Sequence, residues 1–359
     1  MMPFVFAKCV LTKKARGFSL IELMISILIG LIILNGVIQI VVNSKRSFLD
    51  NQEVSQIQEN ARFAIDILSR ELRMAGYFGC APGSAGIFNI APIVGASPML
   101  VPTTTSGQPA LLGINGYDGG DPAPGVFSGT DRFGQTDALI VRRTNPLSEG
   151  ILGEGAVDSA VSTVKVAGGS DTLSNIKAGQ PLILISPDCT RGLAFRATAD
   201  ATTAGTEKTI TGLPKPGDAS EALLGYFQAG STLAELVSDA YYIGTSNVVE
   251  NMPALMRKVL WVESGTLKTR SEELALGIAD MQLAYGTLDS SKTMTYAKTS
   301  TDIANLKWDE VVVVQINLLM QSLKPVHDKP EPVTFLGASL PASRYLRQVV
   351  SATVRIRNQ

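Results

Sequence analysis

A chain of 359 residues has room for one large domain or two smaller ones, and 45% hydrophobic against 18% charged residues excludes a long disordered protein. The charge is unevenly placed: residues 1–17 hold Lys8, Lys13, Lys14 and Arg16 with no acid, and removing them leaves 27 bases against 32 acids, a net charge of −5. A mildly acidic body gives no electrostatic reason to bind nucleic acid, so no such partner is expected.

The first predicted element is an apolar run of 25 residues, Phe18 to Val42, carrying one acid, Glu22. As a helix it would span about 37 Å at 1.5 Å per residue, enough for a bilayer core of about 30 Å. The four preceding bases predict an amino terminus that stays in the cytoplasm. Lys45 and Arg46 after the run weaken that asymmetry, and Asp50 and Glu53 soon offset them. A secretory signal would be cut after its apolar region, but residues 34–44, LNGVIQIVVNS, make a poor site of that type. The small residue suited to cleavage, Gly17, lies before the run. A plain signal anchor fits the hydropathy but leaves Glu22 unexplained, because a carboxylate at membrane depth is costly and usually has a partner. Cleavage between Gly17 and Phe18 would supply one: a new α-amine four residues from Glu22, largely protonated near neutral pH given a reference pKa of about 7.7–8. In a packed array of such helices, Glu22 could pair with the new terminus of a neighbour.

Gly17–FSLIELM resembles the type III signal sequence of type IV pilins and type II secretion pseudopilins: a basic leader, Gly, Phe, then Glu at the fifth mature position of an apolar helix. The resemblance implies cleavage after Gly17 by a prepilin peptidase and methylation of the Phe18 amine. A residue without Cβ at Gly17 would let the peptidase approach the backbone closely.

Beyond the membrane, apolar positions recur at Val54, Ile57, Ala61, Ala64, Leu68, Leu72 and Ala75, spacings of three and four that mark one helix face. The pattern predicts one helix from Phe18 to about Ala75, with Gly30 and Gly36 as weak points. Gly76-Tyr77-Phe78-Gly79-Cys80 should end it by its glycines. Residues 81–136 read as long loops with a few short strands. Within them Tyr117-Asp118-Gly119-Gly120-Asp121 looks like part of a calcium loop but lacks the alternating ligands and the terminal Glu, so a turn is the better reading.

From Thr136 onward, β signals dominate. Strands are expected at Asp137–Arg143, Ser162–Ala167, Pro181–Ser186, Lys208–Gly212 and Glu235–Ile243. Others follow at Leu255–Val262, Gly265–Arg270, Met281–Tyr285, Val311–Ser322 and Tyr345–Arg357. Val262-Glu263-Ser264-Gly265-Thr266 looks like a hairpin connection. Val311–Leu319 is nearly continuous in apolar character, as a central strand would be. In the last strand, Val350, Ala352, Val354 and Ile356 share one face. The expected fold class is α+β and pilin-like: a long amino-terminal helix, its first half in the membrane, packed on a mainly antiparallel β-sheet head. The expected divisions are a leader at 1–17, an apolar half-helix at 18–42, an amphipathic half at 43–78 and a β-rich periplasmic head at 79–359. The helix end GYFGC, LGIADMQLAYG at 276–286, the VVVVQINLLMQS strand and the terminal RQVVSATVRIRN together resemble the PilW family of minor pilins.

Candidate chemistry is sparse. A chain cut after Gly17 loses Cys9 and keeps Cys80 and Cys189, which in an exported domain are most simply read as one disulfide; two independent buried thiols are the alternative. His327 is the sole histidine, in the loop KPVHDKPEP, and reads as a solvated residue. No G-x-S-x-G elbow, P-loop or G-x-G-x-x-G accompanies it, so no catalytic residue, metal site or cofactor is expected. A thiol pair of Cys189 with His327 would need a free Cys189. Trp261 and Trp308 read as core or strand-flanking aromatics. The PilW resemblance implies a minor pilin that helps prime pilus assembly and ends at or near the tip. Its implied partners are the prepilin peptidase, other minor pilins, the major pilin and the inner membrane, with a tip adhesin as a further candidate. The implied location is the bacterial inner membrane, single-pass, and then the pilus. The competing readings are a minor pseudopilin of type II secretion and a membrane-tethered periplasmic enzyme or receptor.

Overall fold

A computed structural model describes residues 17, 19–81, 88–90, 99–100, 113–119, 125–127, 131–160, 162–167, 173, 176–213, 221–288, 291–298, 302 and 308–358. The expected leader, Phe18 and the Gly120-Asp121 half of the calcium-like fragment lie outside these residues. One helix, α1 (Leu20–Met74), matches the predicted span to within two residues at each end. The chain divides into two compact units, the first ending at Gln52 and the second beginning at Glu53.

In the first unit every helical residue from Leu20 to Gln52 is exposed. In the second unit the predicted stripe is buried except at its first position: Val54 is half-buried, whereas Ile57, Ala61, Ala64, Leu68, Leu72 and Ala75 are each at most 3% exposed. Gly76 (φ +72°) and Gly79 (φ +65°) then turn the chain through the left-handed region that a residue without Cβ enters freely, as the sequence predicts.

The strands follow in chain order. The first six are β1 (Phe88–Ile90), β2 (Ile114–Tyr117), β3 (Ala138–Ile151), β4 (Val157–Asp158), β5 (Thr163–Ala167) and β6 (Pro181–Ile185). Next are β7 (Gly192–Arg196), β8 (Thr202–Ala204), β9 (Glu207–Thr211), β10 (Thr232–Thr245), β11 (Pro253–Glu263) and β12 (Thr266–Leu276). The last are β13 (Ile278–Leu288), β14 (Met294–Ala297), β15 (Val311–Pro325), β16 (Glu331–Phe335), β17 (Ala338–Ser343) and β18 (Tyr345–Arg355).

The largest sheet runs β1-β7-β6-β10-β11-β12, with β3 also on β10 and β2 on β3; all its pairings are antiparallel except β1 with β7. A second sheet runs β14-β13-β15-β18, placing the VVVVQINLL segment inside it as expected. The main core joins the buried face of α1 to both sheets through Leu139, Val141, Tyr241, Ile316, Leu318 and Val354. A separate core under β4, β5 and β9 is built on Leu182, Leu184, Phe195 and Ile210. The β11–β12 connection is a tight hairpin with positive φ at both Ser264 (49°) and Gly265 (76°), the backbone that a right-twisted two-residue turn requires.

Two departures have local causes. β3 continues well beyond Arg143, through Pro146. Its pairing with β10 shifts there, so that residues 145–148 bulge out opposite Glu235 and the missing proline N–H costs no ladder bond. β16 and β17 each carry a proline and are not among the expected strands, yet they pair with each other in a two-stranded ribbon, where an open edge tolerates proline.

Candidate processing and assembly site

Gly17 is exposed, and a Cβ built on it would meet nothing within 4 Å. The chain's own packing makes no demand for glycine there. The Ser19 carbonyl accepts the Leu23 N–H at 3.1 Å, which places Ser19 at the cap of α1 and Glu22 at its third helical position. Ser-x-x-Glu at those positions is capping-box spacing, in which the acid can reach back to an orphan N–H, and an acid in the first turn complements the helix dipole. Glu22 thus has a local role open to it that sequence reading missed, although the spacing was visible. The Ser26 hydroxyl donates to the Glu22 carbonyl at 2.7 Å. Above this start, the first half of the helix is mainly apolar around its circumference, with Leu20, Ile21, Leu23 and Met24 all more than half exposed. In water such a surface is a liability; it fits lipid or the packed flanks of other helices.

Within the second unit, α1 is fastened by polar groups as well as by its apolar face. Glu53, at the head of the stripe, accepts the Leu323 N–H at 3.0 Å. Asn60 donates to the Leu276 carbonyl, and Asn358 donates to the carbonyls of Arg73 and Ala75, serving the acceptors left over at the helix end. Buried Glu71 takes Arg143 of β3 at 3.1 Å, and the same guanidinium lies 3.8 Å from Asp239 of β10. Burial pushes the Asp239 carboxyl up to about 6, with the Arg143 charge opposing. Sequence reading did not single out this triad; the signal was an acid, Glu71, beside Leu72 on the inner stripe.

Cys80 and Cys189 are joined, with their Cα atoms 5.4 Å apart and 109 positions of sequence separating them. The turn that offers Cys189 is tied down on itself. Asp188 accepts from the Ser186 hydroxyl and from the N–H and hydroxyl of Thr190, and these bonds hold its carboxyl at about 2. Arg191 stacks 3.8 Å over the Tyr226 ring.

The remaining candidates do not converge. His327 is half-buried rather than fully solvated, its Nδ1 3.5 Å from Glu331. Cys189 is committed to the disulfide and offers no thiol. Among the described residues no three His, Cys, Asp or Glu side chains gather as a metal site would need. Asp118 caps the Gly119 N–H and lies beside Asp137, which also accepts from the N–H groups of Leu283 and Gly119. Trp308 packs edge-on against Tyr285 at 4.9 Å in the main core, whereas Trp261 is 37% exposed on β11.

Comparison with known families gives two matches. Residues 12–34 match the prokaryotic N-terminal methylation motif, and residues 240–358 match Type IV Pilus-assembly protein W. The first covers the leader end and the start of α1; the second covers the end of β10 and all of β11 to β18. No curated protein and no solved structure matches the chain.

Proposed function

We propose that this chain, a PilW-family type IV pilin, primes pilus assembly together with other minor pilins and remains at or near the filament tip. The observation that carries the reading is the apolar first half of α1, exposed on every side and holding a single acid at Glu22, directly inside a methylation motif. In the sequence of events we envisage, the helix first anchors the chain in the inner membrane, amino terminus in the cytoplasm and head in the periplasm. Prepilin peptidase then cuts between Gly17 and Phe18 and methylates the Phe18 amine. The helix leaves the bilayer by packing among the helices of neighbouring pilins, the major pilin included, where Glu22 is neutralised by a neighbour's Phe18 amine. The role is structural, with no catalytic step and no cofactor. The head supplies partner surfaces, a tip adhesin among the candidates for them.

The capping geometry at Ser19 makes the test sharper. Glu22→Gln keeps a capping-box side chain but removes the charge. The expected result is normal cleavage, seen as the mature mass, with assembly lost as fully as in Glu22→Ala. Normal piliation by the Gln variant would sink the amine pairing and leave Glu22 as a helix cap. Deleting the gene should abolish pili while leaving secretion of folded exoproteins intact; the converse would identify a secretion pseudopilin. A membrane form that keeps residues 1–17 would instead favour a simple tether.

A further inference from the structure

Strand β10 changes neighbours part-way along one edge. It pairs with β6 over Thr232–Glu235 and with β11 over Asp239–Thr245. Leu236, Val237 and Ser238, between the two ladders, border a cleft of about 250 Å³. On the β6 side the cleft is polar, with Lys177, Gln180 and Glu235; on the β11–β12 side it is apolar, with Trp261, Val262 and Leu267.

The polar side is held in place. Glu235 Oε1 accepts from the Gln180 amide at 2.8 Å, and Oε2 accepts from the Asn145 amide at 3.2 Å. Gln180 is itself fixed, its Oε1 accepting the Lys177 N–H at 3.1 Å. A carboxylate offers about four acceptor sites, so two remain for a ligand. Neutral amides, with no cation among them, orient this carboxylate. The Lys177 ammonium stands at the rim, 3.0 Å from Asp200.

We propose that this cleft binds one neutral monosaccharide unit, with Trp261 against the C–H face of the pyranose ring and Glu235, Gln180 and Lys177 taking its hydroxyls. A sugar ring is apolar across its face and carries both donors and acceptors at its edge. The cleft has the matching division: an aromatic wall, an acceptor in Glu235, and donors in Lys177 and Gln180 beside it. An organic ammonium would gain from Trp261 and Glu235 but would leave the donors of Lys177 and Gln180 unused, and it is the competing ligand that the test includes. An anion would meet Glu235. The volume suits one ring and lies near the lower end of ordinary ligand sites.

The test uses the full-length chain in a polyoxyethylene detergent, because alkyl glycosides carry a sugar of their own. Glucose, galactose, mannose, N-acetylglucosamine and N-acetylgalactosamine are each added to about 50 mM, the range for millimolar affinities. Saturation-transfer NMR on the sugar protons then reports binding without relying on tryptophan emission. At least one sugar should show saturable transfer, lost in Trp261→Ala and weakened about tenfold or more in Glu235→Gln, roughly one hydrogen-bond's difference in affinity. Thermal melts confirm that the variants fold; if Trp261→Ala does not, Trp261→Phe should weaken binding while keeping a ring. No transfer from any of the five sugars to the parent protein would overturn the proposal. So would transfer that survives both substitutions, or tetramethylammonium binding in place of the sugars.

Discussion

Asp137 and Asp239 are carboxyl groups withdrawn from water and given different neighbours. Asp137 is pushed up to about 7, first by burial and further by the adjacent Asp118, against the N–H bonds from Leu283 and Gly119. Asp239 is pushed up to about 6 by burial, with Arg143 and Arg257 pulling the other way. In the unfolded chain both would lose their protons near pH 4. Between that pH and their folded values, the folded state holds protons that the unfolded state has released. Their contribution to stability is therefore full below about pH 4 and is lost as pH rises through about 6 to 7. Asp188, Asp200 and Glu272 are shifted the opposite way, so their contribution fades only on acidification below the ordinary carboxylate range. The urea midpoint should accordingly fall between pH 5 and pH 8. Asp118→Asn, which removes one cause of the Asp137 shift, should make that fall shallower. An unchanged slope would mean that Asp118 does not act on Asp137.

Helix α1 is one continuous element exposed to two environments, and its residues sort accordingly. Leu68 is 1% exposed in the main core, and Leu68→Ala should cost about 2–5 kcal/mol in urea unfolding. Phe48→Ala, on the exposed half, should change the same midpoint by less than about 0.5 kcal/mol. A smaller loss at Leu68 than at Phe48 would contradict the placement of the buried stripe. That stripe was legible in the sequence because Ile57, Ala61, Ala64, Leu68 and Leu72 repeat at the helical period, and the methylation motif within residues 12–34 because its spacing is so specific. β15 was legible for a different reason, since a run of valines has few other homes. What escaped had no local signature. β7, Gly192–Arg196, is buried along most of its length yet contains no β-branched residue, so only its neighbours β1 and β6 make it a strand. The cleft beside Trp261 could not be read either, because it arises from β10 exchanging β6 for β11, a fact about pairing rather than about any one stretch. The ion triad was not read: Glu71 sits beside Leu72 of the stripe, but its partners lie 72 and 168 positions away.

The second unit holds together through residues far apart in the chain, with the carboxy-terminal Asn358 bonded to the end of α1 and the main core drawing on α1 and both large sheets. In the filament role proposed above the chain would bear tension, and the crosslink from Cys80 to Cys189 would set where that tension can travel. It bypasses the stretch between its ends, which lie 109 positions apart in sequence, so strands β1 to β6 cannot be drawn out along the pulling axis while it is intact. Force applied at positions 53 and 358 by single-molecule stretching should extend the oxidised chain to a contour that omits this segment. Reduction should then release roughly 360–390 Å of additional length at 3.3–3.6 Å per residue. Equal contours before and after reduction would show that the bond carries no load. In that proposed role the disulfide, six residues past the end of α1, would act as a strain limiter for the second unit.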